Sequence, residues 1–319
     1  MISRRLLRIK VLQVLYAYYK SGEKDLNKSE KELFFSINKA YELYYYMLLL
    51  AIEVVDYAES RIELARNKKI PSYEDLHPNT RFIDNAFVLQ LRNNLHFKHY
   101  VESHKISWVN YPEFIKELYN LLIEHPEYLE YLNADDHDYS QDKKIIIRFF
   151  NDIIFPNESL NQILEEKSIF WNDDLEFVIS MVIKTIKKFR EDSSERTSLP
   201  ELFKNDEDRD FAKQLFRKAS VYRDMSLQLI EEKASNWDLD RIAFMDILIM
   251  QLAITELIEF NSIPTKVTLN EFLEIAKYYS TEKSNTFVNG VLDKILQKLK
   301  EENKIKKSGR GLIGESVIE

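Results

Sequence analysis

Residues 23–70 read EKDLNKSEKELFFSINKAYELYYYMLLLAIEVVDYAESRIELARNKKI and contain neither glycine nor proline. Apolar residues recur there at Leu33, Ile37, Tyr41, Tyr44, Leu48, Ala51, Val55, Ala58, Ile62 and Ala65. The steps alternate between four and three residues and average close to the helical repeat of about 3.6. The pattern predicts one long amphipathic helix within the interval between Gly22 and Pro71, roughly 60 Å in length at 1.5 Å per residue. A helix that long exceeds what a compact domain needs, so other elements must pack along it.

The rest of the composition agrees with a helical chain. Of 319 residues, 45% are hydrophobic and 31% charged, and only five are glycine. Average usage is roughly 7% glycine. Gly290 is the single glycine between residues 23 and 308. Hairpins, phosphate loops and bulges depend on glycine for positive φ or close backbone approach. Their scarcity excludes an all-β fold and a doubly wound α/β enzyme. The fold class is all-α.

The seven prolines punctuate further helices. These are expected at about 112–123, 126–132, 142–154, 157–167 and 171–190, then at 206–234, 239–260, 268–279 and 284–302. Residues 70–110 read as irregular. The polar stretch 191–201, EDSSERTSLPE, is the natural linker. Thr268 followed by Glu271 has capping-box spacing.

Catalytic and metal-binding patterns do not assemble. The absence of cysteine removes disulfides, thiolate zinc sites, iron–sulfur ligation and cysteine nucleophiles together. Apolar runs reach only about nine residues, too short for a bilayer span, and a soluble cytoplasmic chain is expected. Gly309-Arg-Gly311-Leu-Ile-Gly314 is a literal G-x-G-x-x-G, but no strand and helix flank it, so it is not a dinucleotide loop. Glu74-x-x-His77 runs straight into Pro78, and His96, His99 and His104 sit on a polar segment. Asp135, Asp136 and Asp138 around His137 lack the glycine of a calcium loop. A non-enzyme is expected, with no catalytic residue, metal or cofactor.

Charge is distributed unevenly. Residues 1–20 hold Arg4, Arg5, Arg8, Lys10 and Lys20 and no acid, and residues 294–310 hold seven bases against two acids, although the whole chain has a net charge of −8. Basic ends on an acidic body suit a polyanion partner at those ends. In the first helix, Leu7, Val11, Val14, Leu15 and Tyr18 form one stripe. That helix is therefore expected to dock by its C-terminal half and project its arginines past the body. Arg5 and Tyr16 fall on one face, where guanidinium and aromatic ring suit phosphate and base of single-stranded RNA. Gly290 lies inside a helical series, which costs about 1 kcal/mol against alanine, and close packing against the first helix is the expected compensation.

These residues resemble a known family. Arg4-Arg5-Leu-Leu-Arg8 followed by Leu12-Gln13-Val14-Leu15-Tyr16 is similar to the opening of the NusB family of bacterial transcription antitermination factors. The resemblance continues through Trp237-Asp-Leu-Asp-Arg241, Ala253-Ile-Thr-Glu256-Leu257, Ile263-Pro264, Val267, Asn270-Glu271 and Ala276-Lys277. It ends in Ser284 and Phe287-Val-Asn-Gly290-Val-Leu-Asp293-Lys294.

The resemblance implies a NusB-like helical bundle core plus a large additional helical region. Residues 1–22 would supply the basic first helix, 23–203 the inserted helices with the long one, 204–302 the C-terminal core and 303–319 a flexible basic tail. It implies binding of boxA-type single-stranded RNA in nascent ribosomal RNA leaders together with NusE, a small-subunit ribosomal protein, in a complex with RNA polymerase and other Nus factors. By position it assigns RNA contact to Arg4, Arg5, Arg8, Tyr16, Lys283, Ser284 and Phe287, and the NusE side to Asp246. Leu6 stands where a further arginine is common, and Lys283 where an acid is common. The other reading is a helical scaffold on the same core that recruits proteins without sequence-specific RNA binding.

Overall fold

A computed structural model of the chain describes residues 2–135, 138–234 and 242–314, with the side chains of Glu282 and Lys283 also left out. Among these residues there are fifteen α-helices and no strand. They run α1 (Arg4–Lys20), α2 (Leu26–Arg66), α3 (Tyr73–Leu76), α4 (Ala86–Asn93), α5 (Leu95–His104), α6 (Pro112–Glu124), α7 (Pro126–Asn133) and α8 (Tyr139–Arg148). The last of these runs into a π-helical turn, Phe149–Ile154. Then follow α9 (Glu158–Lys167), α10 (Leu175–Lys188), α11 (Asp206–Val221), α12 (Arg223–Lys233), α13 (Phe244–Glu259), α14 (Thr265–Tyr279) and α15 (Glu282–Glu301), with a 3₁₀ turn at Gly309–Leu312. The expected long helix is present as α2, with 41 residues. None of the described helices is long and apolar enough to cross a membrane.

The chain forms two compact units, one of residues 38–202 and one of residues 2–37 with 203–319. In the first, the later part of α2 is the core element. The Tyr44 hydroxyl lies 2.9 Å from Thr185 Oγ1, and the indoles of Trp108 and Trp171 donate to the carbonyls of Tyr46 and Lys39 at 3.0 and 2.7 Å. The segment expected to be irregular folds into α4 and α5. Asn85 and Asn94 cap them, their side chains accepting from the amides of Val88 and Phe97. The polar stretch 191–201 is helix-free but pinned. Asn94 Nδ2 donates to the Thr197 carbonyl at 2.7 Å, and the Leu95 amide to that of Glu195 at 2.8 Å.

In the second unit α13 is central: every residue from Asp246 to Leu257 is buried. A helix apolar on all sides has no solvent face. It packs against α1, α11, α12, α14 and α15. The helix expected over 206–234 is two, broken at Tyr222 (φ −87°, ψ 11°), whose hydroxyl reaches Glu259. No glycine or proline marks that break in the sequence.

Two glycines reverse their expected roles. Gly290 is exposed, and a Cβ there would meet nothing within 4 Å. Close packing is not its reason. Gly311 is buried, and a Cβ there would lie 1.9 Å from the Asn261 carbonyl oxygen. The segment expected to fray is held on the α13–α14 turn, with the Ser308 amide donating to Asn261 O at 3.0 Å and Lys307 Nζ to Phe260 O at 3.0 Å. Gly290→Ala is expected to stabilise the protein by about 1 kcal/mol, the helix-propensity difference. Gly311→Ala is expected to destabilise it and release the tail. Thermal midpoints of the two variants, with limited proteolysis after the tail lysines, separate these outcomes.

Candidate nucleic-acid interface

The arginines of α1 do not project from the body. Leu6 through Leu12 are buried without interruption, so α1 is covered on all sides along its first half and the expected single stripe is too narrow. The arginines survive this burial because acids from three other helices meet them. Arg8, with 3% of its side chain exposed, donates from Nε and Nη2 to the two carboxylate oxygens of fully buried Glu256 on α13, both at 2.7 Å. Its ring-stacking contacts are Phe211 and Phe272 at 5.3 and 5.8 Å.

Arg5 grips Glu271 on α14 in the same bidentate way, at 2.9 and 2.7 Å. Arg4 binds Asp208 on α11 at 2.8 Å and lies over Phe211. Arg8 Nη1 also lies 3.5 Å from Glu271. Thr268 Oγ1 donates to Glu256 at 2.9 Å. Thr268 and Glu271 are thus both committed to the arginine cluster, and α14 starts earlier, after Pro264. The expected capping box does not form.

The Arg5 hydrogen bond holds the Glu271 carboxyl below its ordinary value near 4.5; desolvation opposes this, and the charges of Arg8 and Arg5 reinforce it. The reciprocal bond raises the Arg5 guanidinium. For phosphate binding, Arg8 is spent: it is a buried strut. Arg4 and Arg5 are half-buried and each already faces a carboxylate.

The other end of α1 has a different character. Tyr16 is 38% exposed, with its ring edge-on to Phe244 at 5.5 Å. Lys20 Nζ lies 4.4 Å from the Phe244 ring centre, and the Arg223 guanidinium 3.8 Å from that of Tyr19. Neither Lys20 nor Arg223 has an acidic partner among the described residues. This cluster of ring faces and uncompensated cations was legible only in part. Tyr16 and Lys20 lie on the first helix of the sequence, but Arg223 sits at the helix break that the sequence hid, and Phe244 belongs to the helix expected over 239–260, more than 220 positions from Tyr16.

The remaining assigned residues are placed as follows. Ser284 stands in the first turn of α15, its hydroxyl 2.9 Å from that of the cap residue Thr281. Phe287 is half-buried on α15, and Lys283 precedes it with its side chain outside the described residues. Trp237 to Arg241, and Asp136 with His137, also lie outside the described residues. Asp246 is only 3% exposed in the first turn of α13, with Oδ1 unbonded. The helix N-terminus favours its charge. No cluster of potential metal ligands occurs among the described residues.

Comparison with known proteins finds relatives of a stretch that begins in α10 and runs through most of α15. The family model described as the NusB family matches residues 175–297. The transcription antitermination protein NusB of Salinibacter ruber is 46% identical over 111 residues, 35% of this chain and 69% of that protein. The proteins of the same name from Chloroherpeton thalassium and Natranaerobius thermophilus are 46% and 42% identical over 84 and 72 residues. Those stretches are 26% and 23% of this chain and 40% and 52% of the two relatives. No solved structure matches.

Removing one partner of a buried ion pair strands the other charge and costs about 3–5 kcal/mol. Arg8→Ala is expected to lose stability of that order in urea unfolding, and Arg8→Met with Glu256→Gln to recover at least half of it. A depressed carboxyl pKa contributes stability that is complete above the unfolded-state value and is lost as pH falls through the folded value. Glu271→Gln is therefore expected to flatten the acid limb of thermal stability below about pH 4.5. A wild-type and variant scan of midpoint against pH reads this directly.

Proposed function

Since the chain belongs to the NusB family, we propose that it is an RNA-binding transcription antitermination factor without a chemical step. It binds boxA-type single-stranded RNA of nascent ribosomal RNA leaders together with NusE, and acts in a complex with RNA polymerase and other Nus factors. The observation that carries the reading is the edge formed by Tyr16, Tyr19, Lys20, Arg223 and Phe244. Ring surface exposed at Tyr16, next to cations without an acidic partner among the described residues, is the arrangement that takes bases by stacking and phosphates by charge. A second contact region is the Arg5 end of α1 with Ser284 and Phe287 on α15. Arg5 and Tyr16 are eleven positions apart on α1, about 16 Å along the axis. In this proposal Arg8 supports the surface from inside, and Arg4 contributes less than its position in the sequence suggests.

The test is fluorescence anisotropy of a boxA-type RNA against a scrambled one, with and without NusE. Preferential binding of boxA, tightened by NusE, is expected. Two phosphate contacts, from Lys20 and Arg223, give a log–log salt slope of about −1.4 for a single strand. Lys20→Ala with Arg223→Ala should bring that slope close to zero, and Tyr16→Ala should weaken binding with the slope unchanged. Equal binding of boxA and scrambled RNA with an unaltered slope in the double variant contradicts the reading and favours the scaffold alternative.

A further inference from the structure

Within α13, the helix without a solvent face, stands one carboxamide, Gln251, with none of its surface exposed. A buried amide is costly unless its hydrogens are bonded, and here both are. One is donated to the Ala219 carbonyl at 2.6 Å and the other to the Tyr19 hydroxyl at 3.0 Å. A carbonyl only accepts, so Ala219 fixes which end of the amide faces it.

The first bond accounts for a helix end that no glycine or proline explains. Ala219 is buried in the last turn of α11, where carbonyls lack a donor from their own helix. Ending the helix there would strand that carbonyl unless another element supplied a hydrogen, and Gln251 supplies it. About two turns further along α13, Glu259 accepts from the Tyr222 hydroxyl at the break itself. The next residue, Arg223, opens α12 with its guanidinium 3.8 Å from the ring centre of Tyr19. The second bond from Gln251 holds that same ring by its hydroxyl. One side chain therefore governs both members of the Tyr19–Arg223 pair, the ring directly and the guanidinium through the helix end that precedes it.

We propose that Gln251 is the positioning residue of the RNA-binding edge. It touches no RNA. It holds the Tyr19 ring as a fixed backing for Arg223, so that the guanidinium meets a phosphate in one geometry. Preorganisation of this kind lowers the entropy lost when a long side chain is ordered on binding. The inference rests on the RNA-binding reading above and adds to it the residue through which α13 controls the edge.

Two variants test it in the full-length protein. Gln251→Met keeps the length and bulk of the side chain and removes both donors. Tyr19→Phe removes only the hydroxyl and leaves the Ala219 bond in place, so it decides the matter even where Gln251→Met folds poorly. The first readout needs no RNA. With 15N-labelled arginine, the Arg223 side-chain resonance, assigned by its absence in Arg223→Ala, should carry an upfield ring-current shift from Tyr19. That shift should shrink in both variants. The second readout is affinity for boxA-type RNA with NusE. Gln251→Met should weaken it by about threefold to thirtyfold and draw the log–log salt slope from about −1.4 towards −0.7. In the Arg223→Ala background the same substitution should change affinity by less than about twofold, since a residue that acts through Arg223 has nothing left to position.

An unchanged ring-current shift, or a loss of affinity that adds in full to that of Arg223→Ala, overturns the positioning role and leaves the proposed function standing. A lower thermal midpoint with wild-type affinity and slope overturns it as well, leaving Gln251 with a structural role alone. Failure of the wild type to bind boxA-type RNA removes both, whatever the resonance shows.

Discussion

The buried bidentate pair between Arg8 and Glu256 fixes the unit built from residues 2–37 and 203–319. Glu256 lies on α13, the helix without a solvent face, and Arg8 lies in the covered half of α1. Two charges can occupy such a place only when each satisfies the other in good geometry and the leftover sites are also bonded. Thr268 takes one of these, and Glu271 draws Arg8 and Arg5 together. One carboxylate on α13 therefore sets the position of α1, and α1 in turn sets α14. The arrangement resists sliding of one helix past another, because any shift would strand a charge.

The same constraint divides the basic N-terminal sequence into two kinds of residue. The Arg4 to Arg8 segment is answered by acids from α11, α13 and α14 and acts chiefly inward. Lys20 and Arg223, which have no acidic partner among the described residues, stand at the far end of α1, over aromatic rings. Charge counting along a sequence cannot separate these cases, since the acids that neutralise α1 lie about 200 or more residues later.

Elements with strong periodicity were plain in the sequence. The 41-residue α2 and the proline-led α6 and α7 follow from spacing and from breakers alone. What misled was local chemistry that tertiary partners claimed. Thr268 and Glu271 have capping spacing, yet both bond to the arginine network. Gly290 looks constrained but faces solvent, while Gly311, inside a coincidental glycine motif, is the one that a neighbouring carbonyl requires. Helices α4 and α5 were hidden among histidines and prolines, although Asn85 and Asn94 announce them as caps. The break at Tyr222 carries no breaker residue and had no signal. Of the candidate interface, Tyr16 and Arg5 were readable because one helix carries them. Arg223 and Phe244 reach the end of α1 only through the packing of α12 and α13.

The most direct test of this account is to map where RNA touches the protein. A boxA-type RNA carrying photoreactive uridines would be crosslinked to the full chain in the presence of NusE, and the modified peptides identified by mass spectrometry. Crosslinks at Tyr16, Tyr19 and Phe244, with others in the first turns of α15, are the predicted outcome. Crosslinks confined to residues 38–202, or none above those formed with scrambled RNA, would contradict it.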